Sequence, residues 1–179
     1  VTDDLFCMAA IPYVKKKKVT LARTNRVSAQ TDKEGLGDIS LTGRWRFWHD
    51  TYFDKHVGIL GSVSLPTGDY DSALRGSPNV QLGNGAPGFT FGPLYSQHCG
   101  KFWFHTAATY KWNVENSDNY TYGDSFTYGF AAHFLPNTSD LLGFELDGET
   151  TYKNKYNGIK VMNTGRTALY ASLVYQKRV

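Results

Sequence analysis

Histidines are the residues of this chain best suited to move a proton or hold a metal, and there are five: His49, His56, His98, His105 and His133. None falls at a ligand spacing such as H-E-x-x-H. A nucleophilic site needs a hydroxyl beside a base and an orienting group. His105 could pair with a serine such as Ser62 or Ser172, but no motif selects one. The sequence therefore predicts no metal site, no cofactor and no enzyme.

Charged side chains that recur at every second position of three stretches are the other candidates. They are Asp38, Arg44, Arg46, His105, Lys111, Glu145, Asp147 and Glu149. Two interpretations stay open for them. They form an ion-pair network that fills a narrow interior, or they set opposed charges across a wider, water-filled one and select solutes by charge and size.

Such spacing points to β-strands, because a strand sends alternate side chains to opposite faces. The stretch 35–48 is the clearest example. Its residues Ile39, Leu41, Trp45 and Phe47 fall on one side, and its charged residues fall on the other.

The same periodicity predicts eight strands, at residues 5–14, 37–48, 56–66, 88–97, 101–112, 122–134, 141–152 and 166–177. Most are about ten to twelve residues long, which is closer to a tilted membrane strand than to the usual globular strand of about five or six. The links alternate between short, near 49–55, 98–100 and 135–140, and long, near 15–36, 67–87, 113–121 and 153–165. Short turns at one rim and long loops at the other are typical of a transmembrane barrel.

The charged faces decide which side of the sheet is the interior. Burying these charges in the core of a soluble barrel would cost several kcal/mol each unless every one were paired. We therefore expect the charged faces to line a lumen and the apolar faces to meet lipid. The lipid-facing aromatic girdle would comprise Trp45, Phe47, Phe102, Phe104, Tyr110, Trp112, Phe134 and Tyr152. The alternation alone also fits a soluble β-sandwich or a lipocalin-like barrel with the aromatics inside.

Composition is consistent with an all-β chain. There are 18 Gly, 12 Tyr, 11 Phe and 4 Trp in 179 residues, which favours strands and tight turns. No apolar run approaches the roughly 20 residues of a membrane helix. The net charge of +3 mixes both signs and does not favour a nucleic-acid partner. We predict a single domain over 1–179, processed or truncated because it lacks an initiator Met, and a bridge between Cys7 and Cys99 stays open.

Three motifs stand in order along the chain: Ile11-Pro12-Tyr13, Gly35-Leu36-Gly37-Asp38 and Leu65-Pro66-Thr67-Gly68-Asp69. With Gly143-Phe144-Glu145-Leu146-Asp147-Gly148, they resemble the outer-membrane channel family named for the meta-pathway of phenol degradation. The resemblance implies an outer-membrane β-barrel of a Gram-negative bacterium, often a transporter of small, frequently aromatic, organic compounds. This chain departs from such barrels in lacking a terminal aromatic residue and in being shorter than most members, so eight is a lower bound on the strand count.

We therefore expect an antiparallel up-and-down transmembrane β-barrel in the bacterial outer membrane, acting as a porin-like channel for passive transport of small solutes. The alternative is a structural barrel that docks or encloses a partner protein. Expected partners are outer-membrane lipid and lipopolysaccharide, a small-molecule solute, and either a partner protein or further copies of the chain. A charge placed at Leu41 should cost about 2–4 kcal/mol if it lies near the midplane, and one at Thr42 little.

Overall fold

The computed structural model describes residues 4–21, 27–52, 54–71 and 80–177. Its strands are β1 (Leu5–Ala10), β2 (Tyr13–Leu21), β3 (Val27–Leu36), β4 (Ile39–His49), β5 (Lys55–Leu65), β6 (Gly88–Cys99), β7 (Phe102–Asn113), β8 (Tyr120–Thr121), β9 (Ser125–Phe134), β10 (Asp140–Thr151), β11 (Lys155–Tyr156), β12 (Ile159–Lys160) and β13 (Arg166–Lys177). Within the described ranges, no helix has the length and apolar character needed to cross a membrane.

Eight strands make one antiparallel sheet in the order β1-β4-β5-β6-β7-β9-β10-β13. The order in the sheet follows the order in the chain, so the sheet is an up-and-down meander. The predicted all-β, antiparallel class is confirmed. The predicted closure into a barrel is not seen, since the edge strands β1 and β13 do not pair with each other in the described residues.

The links between these eight strands alternate in length, as the sequence predicts. Residues 50–54, 100–101 and 135–139 connect strands at one end of the sheet, which we call the short-turn rim. Residues 11–38, 66–87, 114–124 and 152–165 connect them at the other end, the long-loop rim. The tightest turn needs Gly100, whose φ of 62° lies in the left-handed region that glycine adopts without strain.

One long link is not a loop, contrary to the expectation for 15–36. Strands β2 and β3 pair from Tyr13 opposite Leu36 onward and extend the β1–β4 pair beyond the long-loop rim. Lys15 and Glu34 form an exposed ion pair across this hairpin, with 2.9 Å between Nζ and Oε2. Charged residues at consecutive positions, such as Lys15, Lys16 and Lys17, remove the polar–apolar alternation by which strands are recognised, which explains the error.

The register across the sheet defines its two faces. Arg46 lies opposite Gly58, and the same row continues through Leu94, Ala107, Gly129 and Asp147. We call the face that carries this row the polar face. A row three positions closer to the long-loop rim joins Phe91, Tyr110 and Phe126 on the opposite side of the sheet, and we call that side the apolar face.

Large side chains on the apolar face are exposed. Phe91 has 55% and Trp112 has 52% of its surface exposed. The buried apolar residues of the described chain are instead Val80, Leu82, Ala86 and Tyr120, all outside the eight-stranded sheet. An exposed apolar surface of this extent indicates contact with another apolar phase or partner.

Candidate functional site

A cavity of about 680 Å3 opens on the polar face. Arg44 and Arg46 of β4 line one side, Glu145 and Asp147 of β10 line another, and His105 of β7 lies between them. The structure thus brings five of the eight candidate residues from the sequence to one cavity.

The two arginines differ in how their charge is engaged. Arg46 donates a hydrogen bond from Nε to the Oδ1 of Asp4 at 2.7 Å, so its charge is largely neutralised. The guanidinium carbon of Arg44 lies 5.4 Å from the centre of the Phe6 ring. A cation–π contact positions a guanidinium and leaves its donors available. Arg44 is therefore the more available cation of this cavity.

The three acidic candidate residues of β10 also differ. Glu145 Oε1 lies 3.2 Å from Nε2 of His133, and Glu149 accepts a hydrogen bond from Arg166 at 2.8 Å. Asp147 forms no hydrogen bond or ion pair with any residue that the structure describes. Its carboxylate is therefore the counterpart of Arg44 across the cavity.

Uncharged residues, three of them Gly or Ala, separate these two charged sides along one row of the sheet. The row from Arg46 to Asp147 consists of Gly58, Leu94, Ala107 and Gly129. Five strand spacings of about 4.8 Å separate β4 from β10, so the charges stand about 24 Å apart along the sheet. A Cβ atom at Gly129 would lie 2.8 Å from Oδ1 of Asp147. Glycine there leaves space beside the free carboxylate.

A strip of stacked rings near the short-turn rim is a feature that sequence reasoning missed. Trp103 stacks on His98 with 4.6 Å between ring centres and lies parallel to His105 at 6.0 Å. His105 is in turn 5.5 Å from His133. The alternation of Trp103 and His105 in β7 was visible in the sequence. Their contacts with β6 and β9 depend on the register, which was not.

The hydroxyl partner of His105 is Ser96, not Ser62 or Ser172. Nδ1 of His105 lies 2.8 Å from Oγ of Ser96, which is directly opposite in the register. In the described residues, no carboxylate forms a hydrogen bond with His105. The pair therefore lacks the orienting group that nucleophilic catalysis requires.

Asp38 has a setting different from that of the other candidate residues. It precedes β4 at the long-loop rim, and both of its carboxylate oxygens accept backbone hydrogen bonds. Gly68 donates to Oδ1 at 3.0 Å and Asn84 donates to Oδ2 at 2.8 Å. Asp38 therefore fastens the two described parts of link 66–87 to the end of the sheet. Lys111 remains on the polar face, opposite Ser125.

The long-loop rim is a packed layer. Val80, Leu82 and Ala86 of link 66–87 are buried there. The Tyr70 ring covers Gly85, where a Cβ would lie 2.8 Å from the ring, and the Tyr70 hydroxyl donates to Asp118 at 3.2 Å. Link 66–87 is thus held against its neighbour, link 114–124.

The aromatic residues of the expected girdle lie at three positions. Phe102, Phe104 and Phe134 are near the short-turn rim, with 4.9 Å between the ring centres of Phe102 and Phe134. Tyr110, Trp112 and Tyr152 are near the long-loop rim, where Trp112 stacks on Phe89 at 5.8 Å.

Trp45 and Phe47 lie along β4, with 5.9 Å between their ring centres, and the register shifts at Phe47. Such a bulge locally re-aims side chains. Cys7 and Cys99 are both free and exposed.

Comparisons with known proteins find a matching family model and a solved structure of similar fold. The model of a family described as "Putative MetA-pathway of phenol degradation" matches residues 2–176. The solved structures that resemble the chain include the COG4313 outer membrane channel from Pseudomonas putida F1, with a TM-score of 0.74 and 17% sequence identity. The match covers 99% of this chain and 66% of that protein, just under two thirds of its length. A search of the curated proteins finds no match.

Proposed function

The chain belongs to the family described as the MetA-pathway of phenol degradation, and from this premise we propose that it acts in the bacterial outer membrane as a β-barrel channel for small solutes. The observation that carries the proposal is the pairing of an exposed apolar face with a charged cavity on the opposite face of the same sheet. The channel function of the solved structure that the chain resembles gives the proposal further support.

The height of the apolar face supports the membrane setting. Phe102 and Trp112 mark the two ends of this face on β7. Their separation of ten residues spans about 33 Å along a strand, at about 3.3 Å per residue. A strand tilt of about 40° reduces this to a height of about 25 Å, which matches the apolar band of outer-membrane barrels.

The two edge strands require partners in this setting. An open sheet edge exposes unpaired backbone groups, each of which costs several kcal/mol in hydrocarbon. We therefore place β1 and β13 next to further strands or each other, so that the sheet closes. The uncharged row between β4 and β10, from Gly58 to Gly129, then faces a lumen, and Arg44 and Asp147 set opposite charges across it.

Conductance tests the channel function. The protein, refolded and inserted into a planar lipid bilayer, is expected to give discrete conductance steps, and Asp147→Lys should shift the zero-current potential in a salt gradient toward anion selectivity. Lys177→Gln, at the end of β13 on the short-turn rim, is the control and should leave the selectivity unchanged. A protein that migrates as a folded species in unheated gels but conducts no ions would contradict the proposal and favour a structural barrel.

A further inference from the structure

We propose that a pocket at the long-loop rim, lined by Lys153, Lys155 and Lys160, binds the phosphate groups of outer-leaflet lipid headgroups. The inference rests on the proposed membrane setting. It adds a specific lipid site to that setting, separate from the cavity of the polar face.

The pocket has a volume of about 450 Å3 and combines three cations with aromatic side chains. Tyr110, Tyr122 and Tyr152 line it beside the lysines. Lysines and tyrosines at the edge of an apolar band suit a headgroup, because the ammonium groups bind phosphate and amphipathic rings favour the membrane interface.

The arrangement of the lysines leaves their charge uncompensated. Lys155 lies directly opposite Lys160 in the β11–β12 pair, where like charges destabilise a sheet. In the described residues, none of the three lysines forms an ion pair. An anion bound between them would remove the repulsion.

The acidic groups near the pocket are already engaged. Asp124 accepts hydrogen bonds from the backbone of Asn113 at 2.8 Å and from the Tyr110 hydroxyl at 2.9 Å, one on each oxygen. Glu115 lies 3.5 Å from the Thr121 hydroxyl. The pocket presents net positive charge to a ligand, because its three lysines outnumber the Asp124 carboxylate in its lining.

The register shows which way the pocket faces. Thr121, Lys155 and Lys160 lie opposite one another across β8, β11 and β12, so they share one face of this small sheet. Tyr120 is on its other face and is buried. Tyr110, on the apolar face, also lines the pocket. The lysines thus stand just beyond the apolar band, at the level where outer-leaflet headgroups would lie.

Binding of phosphorylated lipid A to the refolded protein, in vesicles of otherwise zwitterionic lipid, tests the site. Each lysine near the membrane surface contributes about fivefold to the affinity for an anionic headgroup. We therefore expect the double variant Lys155→Gln/Lys160→Gln to bind lipid A at least about tenfold more weakly than the unchanged protein. Lys101→Gln is the matched control, since Lys101 is exposed on the opposite rim and donates to the Pro136 carbonyl. It should bind as the unchanged protein does. Lipid A without its phosphates should bind equally weakly to all three proteins.

Two results would overturn the proposal. The first is equal affinity of the double variant and the unchanged protein for phosphorylated lipid A. The second is binding of inorganic phosphate by these lysines without any preference for the phosphorylated lipid. Conductance of the same preparations separates this proposal from the channel function, because a conducting protein with no lipid preference refutes the lipid site alone.

Discussion

Phe130→Arg is expected to lower the free energy of unfolding of the bilayer-embedded protein by about 2–4 kcal/mol, which is the cost of arginine near the middle of a lipid-facing strand. Phe130 lies near the middle of β9, opposite Leu146, and 43% of its surface is exposed. In water an arginine at such an exposed position would be harmless. In the hydrocarbon of a bilayer, no water hydrates the charged guanidinium group. Unfolding by urea in lipid vesicles, followed by tryptophan fluorescence, measures the difference.

Ala131→Arg is the matched control for this change. Ala131 is the next residue of the same strand, and the register places it on the polar face between His105 and Glu145. An arginine there meets a carboxylate, so we expect a change below about 1 kcal/mol. Phe130→Leu measures the loss of the ring separately. An equal loss of unfolding free energy in Phe130→Arg and Ala131→Arg would contradict the assignment of Phe130 to the lipid-facing side and Ala131 to the polar face.

The position of Leu41 lowers the expected cost of placing a charge there, because this residue does not lie near the midplane of the apolar band. Leu41 is near the start of β4 and opposite Val63, in a row that continues to Phe89 and Trp112 at the long-loop rim. A charge at this level is expected to cost about 0–1 kcal/mol, because arginine near the interface reaches the headgroups.

Asp38→Ala is expected to release link 66–87 from the end of the sheet. The variant loses two hydrogen bonds to a charged acceptor, each worth about 1.5–3 kcal/mol. Local opening then becomes easier, and we expect the amides of Gly68 and Asn84 to exchange their hydrogens at least about tenfold faster. Hydrogen exchange followed by mass spectrometry of peptides from this link measures the effect.

Asp69→Ala is the control within the same link. The carboxylate of Asp69 is 68% exposed and its ion pair with Lys33 is long, at 3.4 Å. Removing it should leave exchange at Gly68 and Asn84 nearly unchanged, since exposed pairs contribute little. If Asp38→Ala and Asp69→Ala gave the same exchange rates, Asp38 would not be the fastening group.

The strands of the main sheet could be predicted from the sequence because each strand has one polar face and one apolar face, which gives an alternating pattern. Strand β13 has the predicted bounds, 166–177, and the other strands agree to within a few residues apart from the first, which ends at Ala10. Pro12 lies in the break between β1 and β2, and its carbonyl accepts a hydrogen bond from the Gly37 amide across the hairpin. A proline cannot donate to the ladder, which explains the interruption.

The packed long-loop rim could not be predicted because its burial comes from contacts between distant links. The Tyr120 hydroxyl accepts a hydrogen bond from Asn154 at 2.6 Å, although the two residues lie 34 positions apart. Burial raises the pKa of the Tyr122 hydroxyl, next to Tyr120 in this layer. Such contacts leave no periodic signal in the sequence. The partners of Asp38 were missed for the same reason, since they lie in link 66–87. The Ser96 partner of His105 was missed because it depends on the register between β6 and β7.

A nitroxide scan along β10 tests the central claim, that the polar face lines the interior and the apolar face meets lipid. Each residue from 142 to 147 would be changed to cysteine in turn, in a chain with Cys7 and Cys99 changed to Ser. Each cysteine would carry a nitroxide label. The labelled protein in lipid bilayers would then be exposed to oxygen or to a water-soluble nickel chelate. We predict that oxygen broadening is strongest at Leu142, Phe144 and Leu146, and that the nickel chelate reaches Glu145 and Asp147. The opposite phase, or equal access of the nickel chelate to all six positions, would contradict the claim.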